Sequence, residues 1–360
     1  MKLFLSLLIT SLLFIGSNTT YSQSFGTGGG GGDTRTDKKI DFMPIPYINY
    51  DRSLGFSIGA LPMAMYNLSQ KDTISPSSVT GLLGMWTTND SWFGLVFSKF
   101  YFNEDRYRVT FAAGLGSINF QTFVPFPFGG DFVDYNTGVN FIKVEVQRRV
   151  VKHLFFGVNY MNTDFNTSFD VVKDTTLESN LQTLGLVVSY DQRDNVYYPY
   201  KGHIGNVNLD MNPEFLGNET QNSKVSIDFN KFFAFRRGKD VLAARVFIGF
   251  GIGDLIFNQQ FIVGESDIRG YTQGKYRGNA MYNIQAEYRW NFHKRMAINA
   301  FGGLATVSGA NDESQNGTIL PGIGVGYRYN VFPKNHMNVG LDAAVGNDDW
   351  GIYFRIGEAF

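Results

Sequence analysis

The residues best suited to do chemistry lie between Gly264 and Gly278, in the run GESDIRGYTQGKYRG. A guanidinium can bridge carboxylates, tyrosines can pack and hydrogen-bond at once, and glycines let backbones approach closely. A soluble domain has little use for such a loop, whereas a barrel with a polar lumen can hold it inside. Other candidates are weaker. His153, His203, His293 and His336 are the only histidines, and none pairs at metal-ligand spacing. There is no cysteine, which excludes a disulfide scaffold, an iron–sulfur site, a thiolate zinc site and a lipid-anchoring cysteine. No serine motif accompanies the histidines, so the chain is not expected to be an enzyme, and no cofactor or metal is expected. The glycines of Gly249 to Gly253 are followed by no helix, so they do not form a dinucleotide loop; they are expected to relieve crowding in a curved strand. A net charge of −1 suggests no polyanion partner and no nucleic acid.

The elements that must hold the loop have a period of two. In Tyr282–Asn291, Tyr282, Ile284, Ala286, Tyr288 and Trp290 share one face, and Asn283, Gln285, Glu287, Arg289 and Asn291 the other. Phe141–Gln147, Asn206–Met211 and Val225–Asn230 alternate likewise. A soluble sandwich would pair an aliphatic face with a charged one. Here the apolar faces end in Tyr, Trp and Phe, as aromatic girdles do at two membrane interfaces. High glycine and aromatic content with a mean hydropathy of −0.14 fits the same class. The expected fold is all-β: a transmembrane antiparallel β-barrel of about sixteen strands with a long loop folded into the lumen. The first strand is expected near 45–51 and the last over 349–360. The longest interruptions are expected at Val124 to Asp134, Val171 to Glu178 and Leu255 to Gly278, with short periplasmic and long external connections.

Lys2 and the apolar run Leu3 to Ile15 read as a secretory signal with cleavage after Ser22. The expected organisation is a signal peptide over 1–22, a glycine-rich flexible linker over 23–39 and a barrel over 40–360. This places the mature chain in the bacterial outer membrane, with no room for a periplasmic domain ahead of the barrel. Pro44 and Pro46 share a face of the first strand and each lacks a ladder donor. Either they weaken pairing with the last strand, or they precede the strand proper.

Three segments together resemble the bacterial surface antigen family, the barrel domain of BamA/TamA-type outer-membrane assembly and translocation proteins. Asp191, Arg193 and Asp194, continuing to Pro199 and Gly202, resemble its turn motif between two strands. Ile268, Arg269, Gly270 and Tyr271 are similar to its lumen-loop signature. The C-terminal strand, with Phe354, Ile356 and Phe360, resembles the signal read by barrel-assembly machinery, although Glu358 stands where an apolar residue is usual. The resemblance implies that Arg269 contacts an acid and an aromatic from the strands after the loop, at the positions of Glu287 and Phe301. A second acid would align at Gly303 and is missing, so the anchoring is looser or another carboxylate serves. It further implies a weak first/last seam, accessory protein insertion or protein or lipid translocation, and as partners outer-membrane lipid and unfolded barrel clients or a partner subunit. BamA-like members carry POTRA domains, which this chain is expected to lack. The alternative is a passive pore or structural barrel.

Overall fold

The computed structural model describes residues 40–51, 54–124, 131–169, 176–253, 255, 259–264, 267–271, 275–310, 315–332 and 336–360. The expected signal peptide and linker lie outside these residues, as do parts of the 264–278 loop. In chain order the strands are β1 (Ile40–Asp51), β2 (Gly55–Tyr66), β3 (Ser78–Thr87), β4 (Trp92–Phe102), β5 (Tyr107–Val124), β6 (Asp131–Val151), β7 (Leu154–Phe169), β8 (Thr176–Asp191) and β9 (Gly202–Asn212). They continue with β10 (Asn222–Phe235), β11 (Asp240–Ile252), β12 (Phe261–Ile262), β13 (Arg277–Gly278), β14 (Ala280–His293), β15 (Met296–Ser308), β16 (Leu320–Phe332), β17 (Met337–Gly346) and β18 (Asp349–Ile356). All but β12 and β13 form one antiparallel barrel of 16 strands, closed where β1 meets β18. Among the described residues no helix is long and apolar enough to cross a membrane; the crossings are made by strands.

The alternation sorts side chains in the reverse of a soluble protein. On β14, Asn283, Gln285, Glu287 and Arg289 are buried, while Tyr282, Ile284, Tyr288 and Trp290 are exposed. The same inversion recurs on β6 and β7, where Ile142, Val144, Val146, Phe156 and Val158 face outward and Lys143, Gln147, Asn159 and Thr163 inward. An apolar exterior with a polar interior is stable only where lipid replaces water outside.

Three sequence expectations need correction. At the expected interruptions, Val124, 131–134 and 176–178 belong to strands, while 125–130 and 171–175 lie outside the described residues. β6 runs for 21 residues, about 70 Å at ~3.3 Å per residue, where about 9–11 residues cross a bilayer. Above the apolar belt its neighbours turn polar on the outer face too, with Asp164 accepting from Asn180 and Gln182 from Tyr160. Strands that outlast the bilayer lose their apolar face, which is why they read as loops. Secondly, the last strand stops at Ile356 rather than running to Phe360. Gly357 takes a left-handed φ of 79° and turns the chain inward, where Ala359 and Phe360 pack on Tyr198, Ile204, Phe232 and Val241. Thirdly, connection length does not alternate cleanly. Residues 67–77 and 192–201 are long connections at the end where Ile40 and Phe360 lie; 67–77 packs on the β4–β5 turn, and 192–201 turns Val196, Tyr197 and Tyr198 into the lumen mouth.

The seam between β1 and β18 is the weak line of the wall. β1 pairs with β2 along its whole length but, among the described residues, meets β18 at one bridge, Tyr50↔Ile352. Pro44 and Pro46 lie inside β1, so they do not precede it. Pro44 faces Pro62 in the β1–β2 register. Two residues without N–H cannot form a hydrogen-bonded pair, so the ladder positions of Pro44, and of Pro46 two residues on, are turned toward β18. That edge of β1 lacks donors where β18 curls away. Side chains bridge the gap instead: Tyr47 meets Phe354 edge-on at 5.3 Å and Tyr50 stacks on Trp350 at 6.0 Å. Replacing both prolines (Pro44→Val, Pro46→Val) restores two donors, each worth about 1 kcal/mol when paired. Amide hydrogen exchange in β18 is expected to slow by about fivefold or more; unchanged exchange would show that the prolines do not set the seam.

Candidate functional site

The 253–279 connection enters the lumen and carries the β12–β13 ribbon, with Phe261 opposite Gly278 and Ile262 opposite Arg277. Its tip presents Ile268, Arg269, Gly270 and Tyr271, all buried. Arg269 Nη1 lies 2.9 Å from Glu287 Oε2 and 2.7 Å from Asp342 Oδ2, and its guanidinium carbon is 3.2 Å from the centroid of the Phe301 ring. Glu287 and Phe301 are thus the partners expected from the resemblance. The second acid is Asp342 on β17, not a residue at Gly303. A Cβ at Gly303 would crowd the β14 wall, at 2.4 Å from the Ile284 carbonyl oxygen and 2.7 Å from Gln285 Cβ, and would come within 2.8 Å of Ile268 Cδ1 of the loop. A Cβ at Gly322 would meet the Arg269 carbonyl oxygen and Ile268 Cγ2, each at 2.5 Å. The wall has given up side chains along β15 and β16 so that the loop backbone can lie against it.

Gly270 adopts a φ of 109°, open to glycine and strained for other residues. Its N–H donates to Tyr353 Oη at 2.8 Å, and the Tyr353 hydroxyl donates to the Tyr271 carbonyl at 3.3 Å. The Tyr271 hydroxyl donates to the Pro321 carbonyl at 2.6 Å and accepts from the Asn347 amide at 3.1 Å. Gly249 and Gly251 serve the same docking, since Cβ atoms there would strike Phe261 and Leu255 of the loop. They make room for the plug.

Arg269 belongs to a wider buried network that sequence reasoning did not assemble. Asp342 also binds Arg328 at 2.5 Å and Arg355 at 2.6 Å, and Glu287 binds Arg289 at 2.9 Å. Glu358 closes the circuit, 3.2 Å from Arg328 and 3.6 Å from Arg289, with Asn299 and Asn338 donating to it. The acid that departs from the expected C-terminal pattern is a lumen ligand, placed there by the inward turn at Gly357. Arg289 Nη2 also donates to the Phe360 backbone oxygen at 2.7 Å. Period two already puts Arg328 and Asp342 on inward faces; what it lacks is the register that sets β17 beside the loop.

The turn motif builds a second closure at the opposite end. Asp191 accepts from the Arg193 amide and side chain, and lies 3.6 Å from Arg108, which is paired to Asp105 and stacked 3.5 Å from Phe155. Asp194 accepts from the amides of Tyr200 and Lys201. Gly202 has a φ of 101°, and a Cβ there would lie 2.1 Å from the Gln192 carbonyl oxygen. This frame turns Val196 and Tyr197 into the lumen against Ile45, Leu61, Met63, Val79 and Ile356, with Pro199 buried beside them, and Tyr197 donates to the Ser77 carbonyl. In the 67–77 connection, burial would raise the Asp72 carboxyl, but hydrogen bonds from the Ser75 hydroxyl and the amides of Ser75, Glu104 and Ile74 hold it down at about 2. Pro44, Pro46, Phe354 and Ile356 sit at the seam; Phe360 does not.

Removing one member of the loop anchor leaves charges buried without a partner, a cost of about 3–5 kcal/mol. Arg269→Ala is expected to lower the midpoint at which the folded barrel converts to the unfolded band on heating before electrophoresis. Glu287→Gln should reproduce part of that loss. If both variants match the wild type, the loop is not anchored through this pair.

Comparison with known proteins agrees with this geometry. No curated protein sequence gives a significant match. The solved structure of BamA from Haemophilus ducreyi lacking POTRA domains 1–3 is similar at a TM-score of 0.57 and 13% identity, over 95% of this chain and 76% of that one. CdiB from Escherichia coli gives 0.67 at 11% identity, over 89% of this chain and 63% of its own, and CdiB from Acinetobacter baumannii gives 0.61 at 13%, over 89% and 60%. The chain therefore spans less than two thirds of either CdiB, and at these identities the likeness is one of fold. The Omp85 superfamily domain matches residues 23–360. A sixteen-stranded wall, an arginine-anchored lumen loop and that match lead to one conclusion: the chain belongs to the Omp85 superfamily, a family of bacterial outer-membrane barrels.

Proposed function

We propose that this barrel works at its β1–β18 seam, as an accessory site for inserting or translocating outer-membrane clients. The observation that carries this reading is the single backbone bridge among the described residues, at Tyr50↔Ile352, where every other neighbouring pair in the wall has an extended ladder. Few hydrogen bonds must break to part the two strands. Once parted, their edges offer unpaired carbonyls and amides, which an incoming extended segment can satisfy by β-augmentation. The mechanism needs no reacting group. It uses the free energy of the client's own strand pairing, released beside a lipid bilayer.

The two lumen closures support a route beside the seam over a route through the lumen. The anchored loop fills one level, and the 192–201 connection with Phe360 fills the other. A passive pore would need at least one of them to move, so planar-bilayer conductance separates the readings: a steadily open channel favours the pore. The partners this reading calls for are outer-membrane lipid and an unfolded barrel client or a periplasmic subunit that delivers it.

Extending the register from Tyr50↔Ile352 by two residues sets Ile48 opposite Phe354. Cells depleted of the protein are expected to contain less of at least one other outer-membrane barrel. Complementation with Ile48→Cys/Phe354→Cys should succeed when the pair is reduced and fail when it is cross-linked. Full complementation by the cross-linked form would show that the seam need not open.

A further inference from the structure

The mouth of the barrel on the side of Ile40 and Phe360 holds a cavity of about 690 Å³ lined by Tyr198 and Tyr200 of the 192–201 connection, the turns β10–β11 and β14–β15, and Asn330, His336 and Asn338. Its chemistry is one-sided. Lys239, Lys294 and Arg295 supply positive charge, His293 and His336 add imidazoles, and none of its described lining residues is acidic. Asp240, at the edge of the same turn, is already engaged by Arg236, the Tyr288 hydroxyl and the Asn291 amide. Cations gathered without carboxylates repel one another, and an anion among them removes that cost. We propose that this cavity binds the phosphodiester headgroup of an anionic phospholipid from the adjoining leaflet.

The position of the cavity argues for a lipid as the source of that phosphate. Directly below Lys294 and Arg295, Trp290 and Phe292 stand on the outer face with their rings 5.6 Å apart, and Tyr288 of the same strand meets Phe235 of β10 across β11. Aromatic side chains of this kind mark the bilayer–water boundary. Phe292 itself lines the cavity, so the site spans from the lipid face over the β14–β15 turn into the mouth. Acyl chains can lie along the aromatic band while the phosphate meets the cations above it.

A second group fits the rest of the headgroup. Asn330 lines the cavity, and its side-chain oxygen is buried with no hydrogen-bond partner. A buried acceptor left unpaired costs about 1–3 kcal/mol, and a headgroup hydroxyl would satisfy it. Phosphatidylglycerol carries both the phosphodiester and such hydroxyls.

The test is native mass spectrometry of the full folded chain in detergent, titrated with phosphatidylglycerol, phosphatidylcholine and inorganic phosphate. Phosphatidylglycerol is expected to bind more tightly than phosphatidylcholine, with an affinity that falls as salt rises. The Lys294→Gln/Arg295→Gln pair should weaken that binding at least tenfold, while Arg148→Gln/Lys152→Gln, at another turn of the barrel, leaves it unchanged. Lys239→Gln/Lys294→Gln serves as a second variant if the first does not fold, judged by its heat-dependent gel mobility. Equal retention of phosphatidylglycerol by wild type and folded variant overturns the proposal. Full displacement by inorganic phosphate at the same concentration would assign the cavity to soluble phosphate, and displacement by a glutamate-rich peptide would assign it to an acidic protein segment; either result overturns the lipid assignment.

Discussion

A charge inside a barrel has no bulk water to fall back on, and that constraint organises one half of this molecule. Arg269 is brought into the lumen by a loop with little regular structure of its own. It is held because Glu287 from β14 and Asp342 from β17 reach it while Phe301 from β15 covers its face. Each acid is shared with further arginines, so Arg289, Arg328, Arg355 and Glu358 are drawn into one connected set. No single pair in such a set can be exchanged for an apolar pair without stranding its neighbours. The loop, five consecutive wall strands and the turned-in tail therefore depend on one another.

The same network reaches the seam. Arg355 and Tyr353 lie on β18, the strand that β1 barely holds. The last strand is thus secured from inside, through Asp342 and the backbone of Gly270 and Tyr271, more than from its open edge. This division explains how a wall with one closing bridge among its described residues remains a barrel. Backbone pairing is sacrificed where Pro44 and Pro46 face β18, and side-chain contacts, aromatic outside and ionic inside, take its place.

Much of this was legible in the residues. Period two, read against girdles of Tyr, Trp and Phe, gave the number of wall strands and most of their bounds. It also placed Glu287 and Phe301 inward on adjacent strands, which is all that a local pattern needs for the anchor. The failures have a common cause. β5 to β8 outrun the bilayer, so their outer faces turn polar and mimic loops. Phe360 ends an alternating stretch, yet Gly357 turns it inward before alternation can matter.

By itself the sequence determined which side chains face lipid and which face the lumen, because strand geometry fixes that parity wherever one face must be apolar. It also determined that a glycine-rich, arginine-bearing loop interrupts the series between β11 and β14. Only the tertiary structure decided which carboxylates receive Arg269. Glu287 and Asp342 are far apart in the chain, and their meeting depends on barrel closure, strand register and the depth to which the loop enters. Glu358 shows the same limit: it lies beside Arg328 and Arg289 because the chain turns in at Gly357, and no spacing in the sequence records that turn's direction.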